Sequence, residues 1–228
     1  MISRLIALLL IPCLLYLAWM AGSRGLADVY SRPVINEIRD WQEGKRTLAL
    51  KDWGRLQADL GKALALDPNN PDTNHFMAIA LEGQYAELPP EAVKAGSARR
   101  AALDFYRKAV RLRPVWPYTW IDLALVKYRL GELDEEFYTA WHRGVELGPW
   151  EPGVQRVAAE IGLHGWIDLT KDDRAFTLEV IKKGVSHSDA VHALAMLEQT
   201  RSYRFLELIC LIMDSDAFVQ EYCRRQQK

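Results

Sequence analysis

The chain contains 228 residues, which is enough for one sizeable domain and a short appendage. Half of its residues are hydrophobic and 26% are charged, as in an ordinary globular protein. The 29 lysine and arginine residues nearly balance the 30 aspartate and glutamate residues. Because no basic excess is present to neutralise phosphates, this composition argues against a nucleic-acid partner.

An uncharged apolar segment lies near the N-terminus. No charged residue occurs in the 19 positions between Arg4 and Arg24. As a helix this segment would be roughly 28 Å long, close to the thickness of the hydrocarbon core of a membrane. Residues 1–24 are therefore predicted to form a transmembrane anchor, and a cleaved signal peptide is the alternative. The short tail before the segment favours a single-pass protein whose body lies outside the cytoplasm.

The sequence contains three cysteines, one of which, Cys13, lies in the apolar segment. Cys210 and Cys223 are 13 residues apart, on two predicted helices. Outside the cytoplasm these two could form a disulfide. The alternative is a pair of buried free thiols, because free cysteine is among the most buried residue types.

Apolar residues recur at helical spacing through the rest of the chain, and no segment reads convincingly as a strand. Pro33 is placed to begin a helix, and proline or glycine ends most of the segments that follow. The further predicted helices cover residues 52–66, 72–86, 98–112, 117–130, 133–147, 152–164, 170–183, 188–199, 203–213 and 217–225. The predicted fold class is therefore all-α, with the helices paired as hairpins.

A pattern of small and large residues repeats along these helices with one spacing. Its residues are Leu56, Leu60, Ala63 and Pro68, then Ala102, Tyr106, Ala109 and Pro114, then Phe137, Trp141, Gly144 and Pro149. This pattern, and the 34 residues from Trp116 to Trp150, resemble the tetratricopeptide (TPR) repeat family. The resemblance implies a TPR-like α-solenoid over residues 33–149, continued by further helical pairs and capping helices over residues 150–228.

A second resemblance rests on the hydrophobic N-terminus, the degenerate repeats and the stretch RPVWPYTWIDLALVKYRLGELDEEFYTAWHRGVELGPWEP. Together these features look like VpsP-type proteins of bacterial exopolysaccharide gene clusters. The resemblance implies a role in assembling or exporting a surface polysaccharide, with proteins of that assembly system as partners. With the apolar segment and its short tail, we expect a single-pass protein of the bacterial inner membrane whose body lies in the periplasm. The resemblance supplies no catalytic residues.

The sequence carries no motif of a common enzyme class. The P-loop, dinucleotide-binding and nucleophile-elbow patterns are absent, and the five histidines are scattered without metal-ligand spacing. We therefore expect no enzymatic activity, no cofactor and no metal site. Four clustered acidic residues could be the paired carboxylates of a glycosidase, but their place at the start of a predicted helix favours capping; they are Glu132, Asp134, Glu135 and Glu136.

The TPR resemblance also implies a concave groove lined by the first helix of each repeat. In the best-matching repeat the groove positions are Tyr118, Ile121, Leu125, Tyr128 and Arg129. These positions recur on one helical face, and the alternative is that neighbouring elements cover that face. Trp120 and Trp141 match packing positions, whereas Trp116 and Trp150 lie in turns and are expected to be exposed.

These observations leave two functions open. The first is a membrane-anchored scaffold that binds a protein partner in exopolysaccharide biosynthesis or export, through the groove of its repeats. The alternative is a glycan-binding module of the cell envelope, in which exposed aromatic residues such as Trp116 and Trp150 stack on sugar rings.

Overall fold

The computed structural model describes residues 2–89, 92–187 and 189–226, with side chains described from residue 10 onward. Within these residues the chain forms eleven α-helices and no β-strand, which confirms the predicted all-α fold class. The helices are α1 (Ile2–Gln42), α2 (Leu50–Leu66), α3 (Pro71–Gly83), α4 (Val93–Leu112), α5 (Pro117–Leu130), α6 (Glu135–Leu147), α7 (Pro152–His164), α8 (Lys171–Ser186), α9 (Ala190–Ser202), α10 (Leu206–Ile212) and α11 (Ala217–Gln226). Most helix ends lie close to the predicted ones.

The first helix continues past Pro33, where the sequence indicated the start of a new helix. A proline inside a helix removes one backbone hydrogen bond and costs about 3 kcal/mol. A buried stripe on both sides of Pro33 offsets this cost, since Ala27, Val34 and Ile38 are all buried. The predicted helix start was therefore wrong, because packing against α2 and α3 outweighs the local effect of the proline.

The N-terminal half of α1 differs from its C-terminal half. From Leu10 to Leu26 the side chains are largely exposed and mostly apolar, whereas from Ala27 onward one stripe is buried. The segment Leu10–Gln42 is long and apolar enough to cross a membrane, judged by length and composition. A single helix therefore carries both the apolar N-terminal segment and part of the first hairpin.

The chain divides into two compact units, Met1–Pro114 and Val115–Lys228. In the first unit α1 pairs with α2 and α3 pairs with α4, and in the second unit α5 pairs with α6 and α7 with α8. The first helices of successive hairpins also touch, as α1 with α3, α5 with α7, and α7 with α9. This alternation defines a TPR-like array within each unit. In the second unit α5 also packs on α7, across the turn at Pro149.

The repeated pattern of small and large residues forms the interior of the hairpins. Buried positions recur with the same spacing on α2, α4 and α6: they are Leu56, Leu60 and Ala63, then Ala102, Tyr106 and Ala109, then Phe137, Trp141 and Gly144. Interiors require such complementary volumes, because voids and overlaps both destabilise a close-packed core. The sequence pattern thus corresponds to real packing positions, although Trp120, which was expected in the core, is only partly buried.

Three of the first helices begin in the same way. Pro71, Pro117 and Pro152 each occupy the first turn of their helix, where a missing backbone N–H costs nothing. Two of the turns before them are closed by a buried side-chain amide. Asn74 Nδ2 donates to the carbonyl of Pro68 at 3.0 Å, and Gln155 Nε2 donates to the carbonyl of Pro149 at 2.7 Å.

The C-terminal helices share a core with α7, α8 and α9. Ile181, Met196 and Ile209 are fully buried in this cluster. Cys210 and Cys223 form a disulfide between α10 and α11, with a Cα–Cα distance of 6.2 Å. Of the two alternatives for these cysteines, the structure therefore contains the disulfide. It ties the last helix to the cluster that closes the second unit.

Candidate partner-binding face

The residues predicted to line the groove do not share one exposed surface. Ile121 is 1% exposed and Leu125 is 8% exposed, so both belong to the core. Gly144 lets α6 approach α5 so closely that a Cβ on this glycine would lie 3.1 Å from the backbone nitrogen of Ile121. Ile121 and Leu125 are thus core residues rather than the groove residues that the sequence indicated, because α5 is packed along this stripe.

Tyr118, at the start of α5, is half-buried against the start of α7. Its hydroxyl donates to Glu151 Oε2 at 2.7 Å. Burial and this hydrogen bond to a carboxylate raise the pKa of Tyr118 to about 12. Gly153 leaves room for the ring, since a Cβ on it would lie 2.8 Å from Tyr118 Cε1. Tyr118 therefore links two first helices and keeps part of its surface open.

Tyr128 and Arg129, at the end of α5, also reach the next first helix. Arg129 Nη2 lies 3.3 Å from Glu160 Oε1 of α7. The ring centroids of Tyr128 and His164 are 5.7 Å apart, and those of His164 and Tyr203 are also 5.7 Å apart. These contacts run across α5 and α7 to the end of α9. Tyr118, Tyr128 and Arg129, which the sequence placed in the groove, thus lie where α5 contacts α7.

The first-helix surface becomes more exposed from α5 to α9. Ile121, Arg156 and Leu194 are each the fifth residue of their helix; Ile121 is buried, Arg156 is exposed and Leu194 is 44% exposed. Val191, one turn before Leu194, is 80% exposed. The side-chain amide of Gln199 donates to the carbonyl of Arg156 at 2.9 Å, which joins α7 to α9. We call this surface the α7–α9 face; its residues are Arg156, Glu160, Val191, Leu194 and Glu198.

A proline spacing in the sequence could have indicated this face, although it is not part of the repeat pattern. The turn from Pro149 to Pro152 has the same Pro-x-x-Pro form as the turn that ends at Pro117. Counting from Pro152 places Arg156 at the position that Ile121 holds in the preceding repeat. The resemblance to the repeat family extends over residues 33–149, so it supplies no groove positions on α7 or α9.

The two turn tryptophans are exposed, and each packs against a second ring. Trp116 is 40% exposed and its ring centroid lies 5.7 Å from that of Tyr118. Trp150 is 59% exposed and its ring centroid lies 5.5 Å from that of His187. With the carboxylate that Tyr118 contacts, these residues form what we call the aromatic edge of the second unit: Trp116, Tyr118, Trp150, Glu151 and His187.

Acidic residues at and just before the start of α6 surround a buried lysine that sequence reasoning missed. Lys127 Nζ lies 2.9 Å from Asp134 Oδ2, 2.9 Å from Glu136 Oε2 and 3.3 Å from Glu132 Oε2. Burial lowers the pKa of Lys127, but the hydrogen bonds to Asp134, Glu136 and Glu132 raise it overall above its ordinary value. Asp134 also caps α6 by accepting from the backbone N–H of Phe137 at 3.0 Å. The cluster joins α5 to the start of α6, in agreement with the capping interpretation.

The described residues contain no group of three or more histidine, cysteine, aspartate or glutamate side chains that could hold a metal ion. The histidines instead take part in packing. His75 lies in the first unit beside the rings of Phe76 and Tyr106, and His192 Nε2 lies 2.9 Å from Gln155 Oε1 in the second unit. Burial lowers the pKa of both histidines.

Several solved structures match this chain, among them one of PilF and two of MamA. PilF of Pseudomonas aeruginosa is 13% identical, and the match covers 90% of this chain and 99% of that one with a TM-score of 0.35. Two structures of MamA are each 17% identical; the matches cover 72% and 76% of this chain and 94% and 95% of MamA, with TM-scores of 0.28 and 0.27. PilF and MamA are TPR-repeat proteins. No family model matches the sequence, and no curated protein is significantly similar to it. The fold assignment rests on the hairpins and their buried repeat positions.

Proposed function

We propose that this protein is a membrane-anchored scaffold that binds a protein partner through the α7–α9 face. The observation that carries the proposal is the composition of that face. Exposed apolar side chains, Val191 and Leu194, lie on α9, next to the helix that exposes the charged Arg156. Apolar residues rimmed by charged ones are typical of protein interfaces, where they supply area and the rim supplies specificity.

The two halves of α1 support the proposed anchor. Its N-terminal half exposes apolar side chains, and its C-terminal half packs in the first unit. Because both halves belong to one helix, a membrane-inserted N-terminus would hold the repeats close to the bilayer. A scaffold held there meets partners of the same membrane at a raised effective concentration.

The body is proposed to lie outside the cytoplasm, in the periplasm of a bacterium whose inner membrane holds α1. The disulfide between Cys210 and Cys223 supports this placement, because disulfides persist in oxidising compartments and are rare in the cytosol. In intact cells we expect both cysteines to resist alkylation until a reductant is added. Alkylation of both without reductant would contradict the placement, and Cys13→Ser removes the remaining thiol from the assay.

The partner is proposed to be a protein of an exopolysaccharide assembly or export system. This part of the proposal rests on the resemblance of the stretch from Arg113 to Pro152 to VpsP-type proteins. A TPR-like array suits such a role, because its extended surface binds a partner without chemistry of its own.

Affinity purification of the full-length chain from detergent-solubilised membranes tests the proposal. The double substitution Arg156→Glu and Leu194→Asp should lower partner recovery at least about tenfold, because central interface residues each contribute roughly 1–2 kcal/mol or more. Lys182→Glu, on the exposed side of the second helix α8, is the matched control and should leave recovery unchanged. The melting temperatures of all variants should agree, because the substituted residues are exposed.

The identity and the behaviour of the recovered protein separate the two parts of the proposal. Loss of the partner from the α7–α9 variant alone supports this face as the binding surface. Identification of the partner as a polysaccharide-assembly protein supports the proposed kind of partner. Equal recovery with both variants, at unchanged stability, would rule out the face as the binding surface.

A further inference from the structure

The aromatic edge is built around two exposed tryptophans in turns that end at Pro117 and Pro152. An exposed indole ring offers a large apolar face that another molecule can contact. Trp141, by contrast, is fully buried inside its hairpin. The ring contacts of Trp116 with Tyr118 and of Trp150 with His187 hold each indole against a second ring.

Polar groups accompany these rings. The Tyr118 hydroxyl donates to one carboxylate oxygen of Glu151, which lies next to Trp150 in the chain. A carboxylate accepts several hydrogen bonds, so Glu151 keeps acceptor capacity beyond the one that Tyr118 uses. The edge therefore combines apolar ring faces with a hydrogen-bond acceptor.

We propose that the aromatic edge binds a neutral polysaccharide made of pyranose units. A pyranose ring presents an apolar C–H face, which stacks on an indole, and hydroxyl groups at its rim, which donate to a carboxylate. Tryptophans in the turns before α5 and α7 offer a repeating polymer more than one position on which to stack. Glu151 disfavours an acidic polymer, because like charges repel. The edge shares no residue with the α7–α9 face, so substitutions can test each surface independently of the other.

Native electrophoresis through gels containing soluble polysaccharide tests the inference. The full-length chain is run in a detergent without a sugar headgroup, with hydroxyethyl cellulose or galactomannan as neutral probes and alginate as the acidic probe. We expect a neutral probe to retard the chain and alginate to leave its mobility unchanged. Trp150→Ala should raise the apparent Kd at least about tenfold, whereas Trp150→Phe should retain most of the binding.

Two control variants make the result specific. Ile167→Ala removes an exposed apolar side chain elsewhere in the second unit and should not alter retardation. The Arg156→Glu and Leu194→Asp variant should bind the neutral probe normally, because it changes the other face. The inference is overturned if neither neutral probe retards the chain, if alginate alone does, or if Trp150→Ala and Glu151→Ala bind as the unsubstituted chain does.

Discussion

Replacing Trp141 with alanine is expected to lower the free energy of unfolding by about 3–5 kcal/mol, the usual cost of truncating a buried aromatic residue. Trp141 is fully buried, stacks on Phe137 with ring centroids 5.8 Å apart, and meets the edge of Phe176 at 5.2 Å. Phe137 lies on α6 and Phe176 on α8, so this ring packs between two successive hairpins. Alanine would leave a cavity that neither helix can fill without moving.

Trp150→Ala is the matched control, because it removes the same side chain from an exposed turn. Its effect should lie within about 0.5 kcal/mol, as for most surface substitutions. Chemical denaturation of the detergent-solubilised chain, followed by circular dichroism at 222 nm, compares the two variants. A similar loss of stability in both would mean that the repeat pattern does not mark the core of the second unit.

Acidification from pH 6.5 to pH 4 is expected to destabilise the chain by about 3 kcal/mol through His75 alone. Burial lowers the pKa of His75 from 6.5 to about 4; Asp72 acts to raise it, and Arg113 and Arg39 act to lower it. Between these two pH values the unfolded state binds a proton at this residue and the folded state does not. Above about pH 6.5 His75 is therefore neutral in both states and does not lower the free energy of unfolding. Between pH 6.5 and pH 4 the free energy of unfolding falls with the pH, and below about pH 4 this decrease levels off.

A substitution isolates this effect from the carboxylates that titrate in the same range. His75→Gln removes the titrating group, so its stability should fall less than that of the unsubstituted chain between pH 6.5 and pH 4. Identical pH profiles for the unsubstituted chain and His75→Gln would show that folding does not lower the pKa of His75.

Local signals in the sequence predict the helices well, because proline and glycine act where the chain must turn. Pro117 and Pro152 begin α5 and α7, and Gly131 ends α5 in the left-handed conformation that glycine adopts most easily. The rule failed at Pro33, where burial of α1 against its neighbours overrides the local preference. Tertiary packing of this kind leaves no mark within a short window of sequence.

The candidate face was harder to predict than the fold. The repeat resemblance supplies positions such as Ile121, but not how tightly the helices pack at each repeat. The same position is buried in α3 and α5, as His75 and Ile121, and open in α7 and α9, as Arg156 and Leu194. The lysine enclosed by three carboxylates was missed for a similar reason, since Lys127 lies on α5 and its partners lie beyond the end of that helix.

Site-specific photocrosslinking in living cells tests the scaffold proposal most directly. A photoreactive amino acid replaces Arg156 or Leu194 on the α7–α9 face, or Lys182 on the second-helix side as the control. We expect one discrete crosslinked protein from positions 156 and 194, none from position 182, and loss of that product when Val191→Asp is added. Crosslinks that form at position 182 while positions 156 and 194 give none would contradict the α7–α9 face as the place where this protein holds its partner.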